Sequence, residues 1–581
     1  MSVVAKARAW IAQDPDPETR HELEELVAKH DIVALENRFS GSLQFGTAGL
    51  RGLLGAGPTR MNRVTVARAT AGFCAWLKKQ IPDALTRGIC VARDARIKSD
   101  VFERDVIEVT TGAGIRVGFF SEVTPTPVLA FAVLAQRAAG GVMITASHNP
   151  PGYNGYKVYW ENGAQIIPPH DRGIADEIER APKADCILRL SMEDARRQGL
   201  LREIEPVRED YIATIASEVH AESKRPPVRV AYTALHGVAE DTFRKVLRRA
   251  GFRDVHSVPE QRVPDGRFPT VSFPNPEEPG AMDRVLGLAA EVDADLAIAN
   301  DPDGDRVGVA VCRTRGFELL SGNDIGLLLA DDLLAHYRGS AKPVVISTIV
   351  SSPLLGPVAT SHGALWEQTL TGHKWIQNRA LELEKRGLAY VFGYEEALGY
   401  AVSSAVRDKD GISAALRLVD LTSRLEVEGK TLLDARSALW RKHGFCADRQ
   451  ISKRFEGPDA PARMERIVDG YRRHPPVTIG GVPVLRMLDL ARQQQWTPAG
   501  QSPFNEFAPS NVLIFELEGG HRAMVRPSGT EPKLKYYFYA FAPLRVRLDL
   551  PASKQAATAV LNAMVDDLIP SSDDVTEAKR E

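Results

Sequence analysis

Three aspartates stand at alternate positions in Asp301-Pro302-Asp303-Gly304-Asp305-Arg306. In a Gly-containing loop that spacing lets their carboxylates converge on one hard cation. Magnesium takes oxygen ligands in near-octahedral geometry, commonly a few carboxylates completed by water and phosphate oxygens. An EF-hand loop would also begin with Asp at its first, third and fifth positions. It would then need Gly at the sixth and a bidentate Glu at the twelfth, where this chain has Arg306 and Cys312. Three carboxylates this close repel one another, which argues against a plain surface turn. Arg306 stands beside them as a partner for a phosphate.

Three other loops carry reactive side chains. In TASHNP (145–150), Ser147 stands beyond a strand end among turn-forming residues, where open α/β sheets bind ligands. His148, and Lys157 in YNGYK (153–157), supply cations that steady a phosphate. The competing reading of Ser147 is a helix N-cap in a tight connection. GYEEALGY (393–400) offers Glu395 and Glu396 as acceptors for sugar hydroxyls, against the reading of an ordinary solvated loop. Upstream, TGHKW (371–375) holds Thr371, His373 and Lys374 in a Gly-containing loop, where a histidine suits acid–base work. RPSGTEPK (526–533) brings Arg526, Ser528, Thr530, Lys533 and the accessible backbone N–H of Gly529 into eight residues, the elements of a phosphate cradle. The competing reading there is a Pro/Gly turn with surface charge. EGKT (428–431) lacks the first glycine of a phosphate-binding P-loop, having Arg424 in that place. The marks of zincins and α/β-hydrolases, H-E-x-x-H and G-x-S-x-G, are absent from the sequence.

These loops need strands and helices to hold them. The first forty residues read as helical. A strand–helix alternation then begins, with strands expected at 89–92, 115–120 and 141–145 and helices at 99–111 and 128–137. It repeats at 228–235, 238–249, 254–258, 281–290 and 296–300, and again at 344–350, 355–361 and 388–392. Such alternation implies parallel or mixed sheets covered by helices. The last stretch differs: strands at 512–517, 522–526 and 534–540, then a helix at 553–568, read as a small α+β domain. Polar or Pro-rich linkers are expected at 203–212, 336–343 and 456–477, and the polar tail 571–581 is expected to fray.

The length of 581 residues gives a prior of about four domains. With 73 Lys+Arg against 75 Asp+Glu the net charge is -2, which gives no electrostatic footprint for nucleic acid. Hydrophobic residues at 44% and charged residues at 25% are ordinary globular usage and exclude a largely disordered chain. Cys74, Cys90, Cys186, Cys312 and Cys446 are odd in number and scattered, which suits reduced thiols rather than a disulfide framework. No apolar run reaches the length of a membrane span, so a cytoplasmic protein is expected.

Taken together and in this order, the four loops resemble those of the α-D-phosphohexomutase superfamily, the phosphoglucomutases and phosphomannomutases, across nearly the whole chain. FGTAGLRG (45–52), YNGYK, TALHGV (233–238), PNPEEPGA (274–281) and TGHKW resemble the longer branch, which includes bacterial phosphoglucomutases and phosphopentomutases. The resemblance implies three related mixed-sheet α/β domains and a smaller C-terminal α+β domain around a central cleft. The divisions expected are 1–207, 208–335, 336–465 and 466–581. Ser147 would carry a phosphoryl group, and its phosphate with Asp301, Asp303 and Asp305 would hold Mg²⁺. A sugar 1,6-bisphosphate would serve as activator and intermediate. Lys157, His148 and Arg306 would stabilise the transferring group, and Lys157 or His373 would serve as general base and acid. Arg51, Thr371 and Lys374 would contact substrate or its phosphate, Glu395 would grip the sugar, and Arg526, Ser528, Gly529, Thr530 and Lys533 would hold the phosphate that is not reacting.

Many hexomutases carry Gly-Glu-x-Ser in the sugar loop, whereas this chain has Tyr394-Glu395-Glu396-Ala397 and so lacks the serine hydroxyl. The expected activity is interconversion of hexose 1- and 6-phosphate, glucose first. Phosphomannomutase and phosphopentomutase activity are the alternatives. A sugar-phosphate-binding protein without catalysis is a distant third, since it predicts erosion at the nucleophile or metal loop and neither is eroded.

Overall fold

The computed structural model describes residues 1–47, 49–219, 226–455, 459–527, 533–542 and 549–569. The chain forms two compact units. The first comprises Met1–Ile325, His373–Arg386 and Tyr390–Thr431, the second Gly326–Gly372, Gly387–Ala389 and Leu432–Glu581.

In the first unit, the first forty residues form helices Val3–Ile11, Pro17–Ala28 and Ile32–Phe39. Each begins where Ser2, Asp16 or Asp31 accepts a hydrogen bond from a backbone N–H that the helix leaves unpaired. They pack through Ala7, Trp10, Leu23, Leu35 and Phe39. A six-stranded sheet follows. Gly140–Ile144, Ile89–Arg93, Val117–Phe119 and Leu201–Glu203 run parallel, Tyr153–Trp160 returns antiparallel beside Gly140–Ile144, and Leu50–Leu53 pairs antiparallel with that return. Gly140–Ile144 is buried at every residue, as a strand covered on both faces must be. Phe73, Leu77, Phe102, Val106 and Ile174 from the helices share one core with Val91, Val142, Ile144 and Val158 from the strands.

A five-stranded sheet in the same unit is built alike. Val255–Ser257, Val230–Thr233 and Leu296–Asn300 are parallel, while Val307–Cys312 and Phe317–Leu319 return antiparallel. A third return joins Ala389–Glu395 to Gly399–Ala401, with Glu395 opposite Gly399. Three times, then, a strand turns straight back on itself and projects the intervening loop from its carboxyl end. The loops so presented are 145–152, 301–306 and 396–398.

In the second unit, Pro343–Thr348 and Leu365–Thr369 form a parallel pair connected through helix Leu355–Ser361. An antiparallel sheet follows in the order Phe445–Arg454, Lys533–Ala542, Arg522–Pro527, Leu513–Leu517, Val482–Asp489, Gln494–Thr497, Gly500–Pro503, with Thr478–Ile479 beside Val482–Asp489. Helices Ala460–Arg473 and Leu550–Leu568 contribute Met464, Val468, Leu561 and Met564 to its core with Phe515, Tyr536 and Phe538.

Two of the expected linkers are largely helical. Pro206–Ser217 covers most of 203–212 and buries Val207, Tyr211, Ile212 and Ile215. Ala460–Arg473 fills most of the described part of 456–477 and buries Ala460, Met464 and Val468 at four-residue spacing. One narrow apolar stripe suffices for a helix, so mean polarity hid both. The tail 571–581 lies outside the described residues. Among the described residues no helix is long and apolar enough to cross a membrane.

Candidate active site

Ser147 follows strand Gly140–Ile144 and is 3% exposed. Its φ of 51° lies in the left-handed region that non-glycine residues rarely adopt. Its backbone N–H donates to Thr145 Oγ1 at 2.9 Å. Its hydroxyl donates to Asp301 Oδ2 at 2.7 Å and lies 3.3 Å from His148 Nδ1. Burial, with Arg306 and Arg51 nearby, pushes the His148 imidazole well below its usual range. Arg51, in strand Leu50–Leu53, donates to Asn149 Oδ1 at 2.9 Å, so it reaches the serine loop.

Asp301, Asp303 and Asp305 follow Leu296–Asn300, and all three are fully buried. Gly304, at φ 73°, permits the turn between them. Asp301 Oδ1 accepts the Arg306 N–H at 2.9 Å. Asp303 Oδ2 accepts Thr126 Oγ1 at 2.7 Å and Lys157 Nζ at 2.7 Å. Asp305 Oδ2 meets Lys157 Nζ at 2.9 Å and Lys409 Nζ at 2.7 Å. Burial, then the charges of Asp303 and Asp305, hold the Asp301 carboxyl well above the usual carboxylate range. For Asp305 burial is outweighed by Lys157, Lys409 and Arg306, which hold it below that range. Ligand oxygens from the three carboxylates lie within 4.8 Å of one another, and Asp303 Oδ1 and Asp305 Oδ1 are buried without a hydrogen-bond partner. Hard oxygen donors so gathered, with lone pairs unused, fit a small divalent cation.

The sugar-loop candidates adjoin this cluster. Arg306 and Gly399 form an isolated antiparallel bridge, and Val307 N–H donates to Leu398 O at 3.2 Å. Glu395 Oε2 lies 3.6 Å from His373 Nδ1. Burial alone would raise the Glu395 carboxyl, but His373, Lys409 and Arg306 bring it down to about 2. His373 and Lys374 are the first residues of helix His373–Lys385 rather than members of a loop. His373 is 3% exposed, with neither ring nitrogen hydrogen-bonded. Lys374 Nζ donates to Thr47 Oγ1 in the Gly-rich N-terminal segment.

The first unit therefore gathers Ser147, His148, Lys157, the three aspartates, Arg306, Glu395 and His373. It adds three residues that the motif reading passed over. Lys409 touches the acidic cluster. Asp408 accepts Tyr159 Oη at 2.6 Å, Gln165 Nε2 at 2.7 Å and the Lys409 N–H at 2.8 Å. Arg96 grips the serine loop. The stretch Arg407-Asp-Lys-Asp-Gly411 carried a signal: Asp410 before Gly411 reads as a helix N-cap, and Asp410 does accept the N–H groups of Ile412 and Ser413 at the head of helix Gly411–Val427. Gly411 permits the close approach there, since a Cβ would stand 2.2 Å from Arg306 O. Thr371, Arg526 and Lys533 belong to the second unit. Arg526 and Lys533 stand near the facing ends of the antiparallel strands Arg522–Pro527 and Lys533–Ala542, in which Pro527 pairs with Leu534. Ser528, Gly529 and Thr530 lie outside the described residues.

Family models described as phosphoglucomutase/phosphomannomutase alpha/beta/alpha domains I, II and III match residues 42–185, 209–314 and 321–443. A Schizosaccharomyces pombe protein named "Probable phosphoribomutase" is 37% identical over 553 residues, 91% of this chain and 92% of its own. A Homo sapiens protein named "Phosphopentomutase" is 35% identical over 571 residues, covering 92% and 90%. A Haemophilus influenzae protein named "Probable phosphomannomutase" is 38% identical over 485 residues, covering 83% and 93%.

Proposed function

The chain belongs to the phosphoglucomutase/phosphomannomutase family of the α-D-phosphohexomutase superfamily, whose members are phosphotransferase-type isomerases, and we propose that it moves a phosphoryl group between O1 and O5 of a ribose phosphate. The observation that carries phosphoryl transfer is the hydroxyl of Ser147 at 2.7 Å from Asp301 within the buried acidic cluster. The pentose reading is supported by the phosphoribomutase and phosphopentomutase relatives, which span nine-tenths of this chain. Ala397, without the serine hydroxyl of many hexomutase sugar loops, accords with it. This displaces glucose as first choice. A hexose reading stays second because of the phosphomannomutase relative.

In this proposal Ser147 Oγ accepts a phosphoryl group from a sugar bisphosphate. That group passes to the free hydroxyl of the bound monophosphate: the Oγ–P bond breaks, a sugar O–P bond forms, and the hydroxyl proton goes to a base. The resulting bisphosphate reorients, and its other phosphate returns to Ser147. Lys157, bridging two carboxylates, serves as fixed positive charge. The base is then His373, whose ring nitrogens carry no hydrogen bond and whose Nδ1 lies 3.6 Å from Glu395 Oε2. His148 and Arg306 flank the transferring group, and Lys409 adds positive charge beside Asp305. Asp301, Asp303 and Asp305 would hold Mg²⁺. When bound, that ion neutralises charge on the phosphoryl oxygens. Arg51, Thr371, Lys374 and Glu395 are assigned to substrate contacts. Arg526, Ser528, Gly529, Thr530 and Lys533 are assigned to the non-reacting phosphate. The divisions 1–207, 208–335, 336–465 and 466–581 then give each domain one candidate loop. The protein works in the cytoplasm on a small sugar phosphate.

The test is kcat/KM for ribose 1-phosphate, glucose 1-phosphate and mannose 1-phosphate, each with Mg²⁺ and a trace of glucose 1,6-bisphosphate. A clear preference for ribose 1-phosphate is expected. A preference for either hexose removes the pentose assignment, and inertness toward all three removes the mutase assignment.

A further inference from the structure

We propose that Arg96 is a positioning residue for Ser147: its buried guanidinium fixes the backbone that carries the phosphoryl-accepting hydroxyl. The inference rests on the reading of Ser147 as nucleophile. Arg96 stands just after strand Ile89–Arg93 and is 3% exposed. Nη2 donates to the carbonyls of Ser147 and Asn149, each at 2.5 Å. Nη1 donates to those of Pro150 and Tyr153 at 3.0 and 3.2 Å. Three carbonyls of the serine loop and that of Tyr153, where the next strand begins, thus converge on one side chain. Only a planar fork of donors matches such a set; the three donors of an ammonium radiate from a point.

The guanidinium is itself held. Its Nε lies 3.3 Å from Asp94 Oδ2. The other Asp94 oxygen accepts Arg96 N–H at 2.9 Å and Ser99 Oγ at 2.7 Å. The Phe268 ring covers the group, with 4.9 Å from Cζ to the ring centroid. Gly266 lets that segment approach, since a Cβ there would stand 2.5 Å from Ala95 O.

The consequence falls on Ser147. A serine at φ 51° persists only where its surroundings over-determine the backbone. The Thr145 hydroxyl fixes its N–H and Arg96 its carbonyl, so both peptide groups are pinned while the hydroxyl stays directed at Asp301. The hydrogen bonds from the Arg96 guanidinium to this segment all end on backbone carbonyls. Its effect passes through the backbone alone. A displacement of the nucleophile by about 1 Å costs about 100-fold in rate.

The experiment compares full-length R96K, R96Q and F268A with the parent. It measures kcat and KM, the rate of Ser147 phosphorylation by glucose 1,6-bisphosphate (intact mass), the thermal midpoint, and hydrogen exchange of amides 145–153. In R96K we expect kcat and phosphorylation rate to fall together by about 100-fold, with KM within about threefold. Exchange in 145–153 should quicken at least about tenfold. F268A, which keeps the guanidinium but uncovers it, should show a smaller loss confined to kcat. R96K with parental kcat and exchange overturns the inference. If neither Arg96 variant folds, F268A with parental kcat and exchange overturns it. If the parent converts no sugar phosphate, the functional reading fails separately, and exchange in the serine loop still decides whether Arg96 fixes it.

Discussion

Ser147 Oγ donates a 2.7 Å hydrogen bond to Asp301 Oδ2 across 154 positions of sequence. One residue belongs to the loop after Gly140–Ile144, the other to the loop after Leu296–Asn300, so two sheets present the serine hydroxyl and the acidic cluster to each other. Replacing the hydroxyl removes the acceptor while sparing the cluster. S147A should lose at least about 10⁴-fold in kcat. After incubation with glucose 1,6-bisphosphate the parent should gain the mass of one phosphoryl group and S147A should gain none. A phosphorylated S147A would place the nucleophile elsewhere.

The acidic cluster makes two opposite demands. The proposed chemistry needs Asp301 ionised beside a cation, whereas burial and the charges of Asp303 and Asp305 oppose its ionisation in the fold. D301N should therefore raise the thermal midpoint of chelator-treated protein by a few degrees and abolish the further rise that Mg²⁺ gives the parent. Activity should fall by at least about 100-fold. Scanning calorimetry with and without Mg²⁺ decides this, and a metal-dependent rise retained in D301N would remove Asp301 from the ligand set.

Lys409 Nζ lies 2.7 Å from Asp305 Oδ2 and 3.7 Å from Asp408 Oδ1. Burial opposes its charge, but Asp305, Asp408 and Glu395 hold it above the usual lysine range. A fixed cation beside the transferring group stabilises developing charge, so K409M should lower kcat by about 100-fold or more. Steady-state kinetics check this; a parental kcat would reduce Lys409 to a structural ion pair.

The loops that hold Ser147 and the three aspartates were legible because each follows a short apolar strand and is rich in turn-forming residues. That pattern predicted Ser147 and the three aspartates beyond strand ends, and the strands are there. Residues that act through distant partners were not legible. Thr126 reaches Asp303 across 177 positions, and Arg96 reaches Ser147 O across 51. A lone arginine or threonine carries no local pattern announcing a partner so remote. Lys409 and Asp408 belong to no recognised motif, and charged residues seldom lie buried unless paired. Their pairing appears only once Tyr159, Gln165 and Asp305 are placed around them. Gly372 suggests a loop around His373, yet the helix begins at His373 itself.

Two carboxylates set an expected pH dependence of stability away from the cluster. Glu103 lies 3.0 Å from Arg93, and burial, only partly offset by that arginine, pushes it up to about 7. Glu218, 3.5 Å from Arg417, is likewise pushed up to about 7 by burial, which Ser403 and Arg417 offset in part. Both start from an ordinary value of 4.5. Because the folded-state values are raised, the unfolded chain releases these protons first. Between about pH 4.5 and 7 the folded state binds more protons, so stability falls as pH rises and levels off above the folded values. The thermal midpoint should accordingly be several degrees higher near pH 5.5 than near pH 8. Glutamine mimics the protonated acid, so E103Q should match the parent near pH 5 and exceed it near pH 8, flattening the slope. The magnitude should be on the order of 1 kcal/mol per group after solvent relaxation. Differential scanning calorimetry across this range provides the check. A parental midpoint that climbs steadily from pH 5 to 8, or an E103Q slope equal to the parent's, would mean that these carboxylates stay ionised in the fold.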